Sequence, residues 1–269
     1  MVQIIKSFGK VKLAVDDVRD AIELWPLWAK LGWNDILYRY RRSTLGPFWF
    51  TASMAITIVA LGLVYSQVLN LPARELMPHV CVGLILWAFM SSVVLEAGDL
   101  FTGSESYIKH VKLPYSLYVL RFVLSKTIIF AHDFPIYLVT IAYFGIWPGP
   151  VALYAFPGFL LLVINGVLIT ISLGMVSARF RDIPRIIASL SQIVFLITPI
   201  IWMPSLLGER SYLAEANPFF HLIELIRAPL LGSAPSKYTL IAVFVITVTN
   251  LLVAAVLFTR YRNRIAYWI

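Results

Sequence analysis

From Ser43 to Ala73 the chain runs for 31 residues without a charge. A bilayer core of about 30 Å takes roughly 20 helical residues at about 1.5 Å each. The run predicts a membrane-spanning helix over about residues 48–69, entered past Arg39, Arg41 and Arg42 and a Gly46-Pro47 turn. The next uncharged run, 76–95, predicts a second span at about 78–97. A polar stretch follows, carrying Asp99, Glu105, Lys109, Lys112 and Arg121, which reads as a short loop helix and then an amphipathic one. The run 134–178 is divided by Trp147-Pro148-Gly149-Pro150, a turn signal. It predicts a hairpin of spans at about 128–147 and 151–177, with His132 and Asp133 inside the first. Uncharged residues 186–208 predict a fifth span at about 186–204, ended by Pro199 and Pro204, and a sixth lies at about 238–259. Between them the amphipathic pieces of 205–237 are too short to cross and read as surface or re-entrant helices.

Ahead of the first span the pattern changes. Residues 1–15 read as a short basic arm. Asp16 or Asp17 is placed to cap a helix whose first turn would carry Asp20 and Glu23. Pro26 starts a second helical piece, because proline cannot continue the first. Mixed charge with Trp25, Trp28 and Trp33 fits a helix lying in the membrane interface; a small soluble helical hairpin is the other reading.

Composition supports the membrane reading and charge orients it. The 269 residues are 60% hydrophobic and 13% charged, where soluble domains carry about 25% charged residues. The net charge of +8 marks topology and not nucleic acid. With six spans, residues 1–42, 98–127, 179–185 and the tail share one side and hold 18 of the 22 Lys and Arg. The opposite side keeps Arg74, Arg210, Arg227 and Lys237. By the positive-inside rule both termini are cytoplasmic. Cys81, the single cysteine, lies in an apolar run and reads as packing.

The usual catalytic signatures are missing from the sequence. No P-loop, HExxH, CxxC or GxSxG is present, so the chain is expected to hold no metal and to hydrolyse no ATP itself. His221 and Glu224 stand three apart, a metal-ligand spacing that a surface helix also explains. Arg39, Arg41 and Arg42 read either as a positive anchor or as a lipid-diphosphate site, since guanidinium pairs bidentately with phosphate. Phe48, Trp49, Phe50, Tyr65, Phe195 and Trp202 read either as interfacial belts or as faces on which sugar rings slide. Asp133 is an ionisable group within a span, either ion-paired, with Lys126 in reach, or a proton relay.

The run ELWPLWAKLGWNDILYRYRRSTLGPFWFTASMAI resembles the N-terminal signature of permease subunits in type-2 ABC exporters of the polysaccharide branch. SARFRDIPRII, NPFFHLIELIRAPLLG and the C-terminal RIAYWI extend the resemblance along the chain, nearest the Wzm-like O-antigen exporters, with capsule and teichoic acid permeases related. It implies an all-α integral membrane protein of the bacterial inner membrane. Residues 1–42 would form a cytoplasmic arm and interfacial helix, 43–269 a six-span permease domain, and 205–236 extracytoplasmic gate helices. It further implies a homodimer joined to two copies of a separate ATPase that binds the ATP and Mg, and a substrate polysaccharide on a polyprenyl-diphosphate lipid. The six aromatics would line a glycan channel. Trp25, Trp28, Ser104, Glu105, Tyr107, Lys109, Arg181 and Asp182 would face the ATPase. Export of a drug or small lipid is the same-fold alternative. A membrane glycolipid transferase and an ion-coupled carrier working through Asp133 are the alternatives of other classes.

Overall fold

A computed structural model describes residues 2–41, 46 and 48–269, the side chains of 2–8 and of Tyr40 apart. Among them all regular structure is helical. Two helices precede the first span: α1 (Val2–Glu23) and α2 (Trp25–Tyr40). The break falls where Pro26 predicts it, and the Trp28 indole donates to Ala21 O at 3.0 Å across the bend. The predicted basic arm is not separate, however. Helix α1 begins at Val2, so Asp16, Asp17, Asp20 and Glu23 lie in its C-terminal half and cap nothing there.

Then follow α3 (Phe48–Val68), α4 (Ala73–Glu96), the short α5 (Glu105–His110), α6 (Tyr115–Phe144), α7 (Ala155–Arg179) and α8 (Ile183–Ile197). The chain closes with α9 (Tyr212–Glu215), α10 (Pro218–Leu230), α11 (Lys237–Tyr261) and α12 (Ile265–Trp268). Among the described residues, five helices are long and apolar enough to cross a bilayer: α3, α4, α6, α7 and α11. The predicted fifth span is the exception. Helix α8 has 15 residues, about 22 Å, and stops at Thr198, whose extended backbone is what a residue before proline adopts.

Helix α6 starts 13 residues earlier than the predicted span. Its two cations, Arg121 and Lys126, are held by protein and therefore do not end the helix. Arg121 donates to both Asp35 oxygens at 2.7 and 2.5 Å, and the buried Lys126 pairs with Glu96 and not with Asp133. Its C-terminus closes on Gly145 in the left-handed region (φ 62°), two residues ahead of the 147–150 turn signal.

Helix α4 is the hub of the bundle. Fourteen of its residues are buried, and it packs against α3, α6, α7, α8 and α10. At one end a Cβ on Gly98 would stand 2.8 Å from Pro184 Cγ; towards the other, a Cβ on Gly83 would stand 3.0 Å from Ile200 O. His79 Nε2 lies 3.2 Å from Trp202 O. The chain from Pro184 to Trp202 thus runs antiparallel to residues 79–98, over about 28 Å. Between α7 and α11, Asn165 donates to Thr247 Oγ1 at 2.8 Å and accepts from Asn250 at 2.8 Å, interhelical polar contacts of the kind that join membrane helices.

Candidate coupling surface and transport path

At the end of the bundle where Lys and Arg gather, α5 stands out from the surface between two spans. Ser104 opens it, the Tyr107 ring is more than half exposed, and Lys109 pairs with Glu105 at 2.6 Å. That hydrogen bond and the Lys109 charge hold Glu105 below the usual carboxylate range, and the Arg181 charge adds to the effect. Arg181 and Asp182 form the exposed turn between α7 and α8. The two sequence segments expected to face a partner are therefore neighbours on one surface, and α12 packs on α5 from the side. Of the two tryptophans assigned to that surface, Trp25 is 62% exposed, whereas Trp28 is half-buried with its N–H already used inside the fold.

The arginine cluster divides. Arg39 donates to Glu96 at 3.2 Å, so Glu96 ties the end of α2 to α4 and, through Lys126, to α6. Arg41 is exposed and Arg42 lies outside the described residues. The aromatics divide as well. Phe48, Trp49 and Phe50 are exposed along the start of α3, while Tyr65 and Trp202 are half-buried. The Phe195 ring packs against Trp87 at 5.6 Å, and Trp87 in turn meets Phe219 at 5.8 Å.

Helix α8 carries a feature absent from the sequence-derived site. None of its residues is buried. Ile186, Leu190, Ile193 and Ile197 form an exposed apolar stripe; beside it Arg185, Ser189 and Gln192 recur at i, i+4 and i+7, all exposed. A free amide on the open face of an apolar helix is costly against lipid and at ease against water or a polar solute. The spacing was readable in the 186–208 run, but hydropathy averages it away.

Past α8 the chain is held by a buried cation. Arg227 is 1% exposed; it donates to Glu224 from Nε at 2.9 Å and Nη2 at 2.7 Å, and from Nη1 to Pro199 O at 2.8 Å. Nη1 also lies 3.0 Å from His79 Nε2. Asn217 caps α10 by accepting from Phe219 N at 2.9 Å and donates to Thr198 Oγ1 at 2.8 Å. Ten of the thirteen residues of α10 are buried, so of the two readings of 205–237, surface or re-entrant, the surface one does not hold for this piece. His221 and Glu224 do not converge on a metal: the His221 ring contacts Thr239 Oγ1 and Glu215 O, while Glu224 serves Arg227. Asp133 is buried with Oδ1 unpartnered, and Thr51 Oγ1 donates to His132 O beside it at 3.1 Å.

Among the described residues, five long apolar helices are accompanied by a short helix, α5, at their basic end and by the buried α10 ahead of α11. The profile of ABC-2 type transporters matches residues 27–231. The chain belongs to the ABC-2 type transporter family. The matched region runs from α2 through α10, taking in α5, α8 and the Arg227 bracket. Among curated relatives, the ABC-2 chain is 23% identical over 254 residues to the O-antigen export system permease protein RfbA of Myxococcus xanthus, covering 93% of this chain and 97% of that one. It is 22% identical over 195 residues to a protein of the same name from Klebsiella pneumoniae, covering 71% and 74%. Permease subunits of this family lack an ATPase of their own.

Proposed function

We propose that this chain is the membrane subunit of an ATP-driven exporter that carries a polyprenyl-diphosphate-linked, O-antigen-like polysaccharide out across the inner membrane. The observation that carries the substrate class is the likeness to an O-antigen export permease from end to end, 93% of one chain on 97% of the other. The geometry agrees with it. The stretch 184–202 follows α4 along nearly its full length, which supports six crossings with both termini in the cytoplasm. Helices α3 and α8 leave apolar faces open on either side of α4, which a second copy of the chain would close into a channel. The Arg185, Ser189 and Gln192 stripe would then face the passing glycan, with Phe48, Trp49 and Phe50 at its mouth. Arg39 and Arg41 would meet the diphosphate there, with Arg42 beside them in sequence. A separate ATPase in two copies would bind ATP and Mg and push on α5 and the 181–182 turn. The helices of 205–230 would form the outer gate.

Depletion of the protein in its native cell is expected to raise polyprenyl-diphosphate polysaccharide on the inner face and remove it from the outer one. Unchanged glycan on both faces would move the reading to export of a drug or small lipid. Exposed substitutions usually cost within about 0.5 kcal/mol. Gln192→Leu is therefore expected to leave thermal stability in place while lowering glycan export. Normal export with lost stability would put Gln192 in packing and off the path.

A further inference from the structure

We propose that the cleft between the ends of α7 and α11 is a binding site for an anionic glycerophospholipid. A cavity of about 360 Å³ opens there, within the roughly 300–1,000 Å³ range of small-molecule pockets. Its floor is apolar: Met175, Val176 and Leu257. Its rim carries Arg179 and Arg264 among Tyr261 and Trp268. The Arg179 guanidinium lies over aromatic rings, 5.2 Å from the Phe180 centroid and 5.5 Å from that of Trp268. Arg260 and Arg264 stand 5.6 and 5.9 Å from the Tyr261 ring.

Among the described residues no carboxylate pairs with any of these three arginines, in contrast to Arg121, Arg227 and Arg262, each of which has one. A cation held over a ring face spends none of its N–H groups on the ring and keeps them for an acceptor. A planar fork of donors over an apolar floor is complementary to a phosphodiester with acyl chains attached. A free anion would leave the floor empty, and a neutral lipid would leave two cations uncompensated. Basic clefts between membrane helices are where anionic lipid head groups bind. The site lies beside α12, which packs on α5, so an occupant would bear on the projecting helix. It is independent of the identity of the exported molecule.

The test uses delipidated full-length protein, titrated with phosphatidylglycerol, with phosphatidylcholine of the same acyl chains, or with inorganic phosphate. Bound lipid is counted by native mass spectrometry. Phosphatidylglycerol is expected to be retained on the order of tenfold better than phosphatidylcholine, two arginines each adding to anionic-lipid affinity. The Arg179→Gln/Arg264→Gln variant should lose that preference, and Arg179→Lys/Arg264→Lys should keep part of it. Phosphatidylglycerol brominated near the head of its acyl chains should quench tryptophan fluorescence in the wild type more than in Trp268→Phe, which needs no arginine variant. Equal retention of the two lipids, equal quenching in Trp268→Phe, or inorganic phosphate binding as tightly as phosphatidylglycerol would overturn the proposal.

Discussion

Replacing Arg227 by Met is expected to lower the thermal unfolding midpoint of the purified protein by about 10 °C. The arginine is almost wholly buried and answered by one carboxylate and one carbonyl, with the His79 ring 3.0 Å away. Removing one member of a buried ion pair costs about 3–5 kcal/mol, because the remaining charge keeps its desolvation penalty and loses its compensation. In a chain of this size 1 kcal/mol moves the midpoint by about 2–4 °C. The Glu224 side chain is 27% exposed, so water relieves part of the loss. By the same argument Glu224→Leu should cost at least as much as Arg227→Met, because the charge it strands, Arg227, is almost wholly buried. The Arg227→Met/Glu224→Leu double variant should recover part of the loss, since an apolar pair of similar volume leaves no unpaired charge. A midpoint within about 2 °C of wild type for Arg227→Met would show that the bracket does not hold Pro199 and α10 onto α4.

That bracket also shows where the sequence stops being informative. Runs of uncharged residues located α3, α4, α7 and α11 within a few residues, because burying backbone in lipid requires long apolar helices and little else produces them. Pro26 and the 147–150 turn were legible for an equally local reason: proline and glycine act on their own backbone. Arg227 was counted as a loop charge marking one side of the membrane. Nothing near it in sequence announces that His79, 148 residues away, will meet it. Arg121 and Lys126 misled in the same way, shortening the expected third span, because their partners Asp35 and Glu96 lie on other helices. Charge in a membrane chain reads as a boundary unless a distant residue neutralises it, and that residue is invisible to periodicity. At the candidate site the segments were legible and the faces were not. The sequence placed Glu105 and Arg181 on two separate loops, and only folding makes them neighbours. Phe195 lies against Trp87, more than a hundred residues away, a contact that no local pattern announces.

The other large effect is expected at Asp17, a residue whose capping role was read on the wrong helix. Its carboxylate is completely buried and accepts from Tyr115 N at 3.0 Å, Ser116 N at 2.9 Å and Arg262 Nε at 2.7 Å. The N-cap residue of α6, Pro114, has no side-chain acceptor to offer the first turn. Asp17 supplies one from α1, almost a hundred residues earlier, and places a negative charge at the positive end of a 30-residue helix. The same carboxylate fixes the end of α11, which leads into α12 against α5. Asp17→Ala removes a cap contribution of about 0.5–2 kcal/mol and strips Arg262 of its partner. Arg262 is 21% exposed and can turn to water, so the combined loss should be about 2–4 kcal/mol. Asp17→Asn keeps an acceptor for one amide and should lose about half as much. Hydrogen exchange read on the peptide carrying Tyr115 and Ser116 checks this directly, because those two amides depend on the carboxylate for protection. Exchange there should speed up by one to two orders of magnitude in Asp17→Ala, with the Asn165 seam between α7 and α11 unchanged. Uniform acceleration throughout the bundle would mean that Asp17 stabilises the whole fold. No acceleration would mean that the cap is idle.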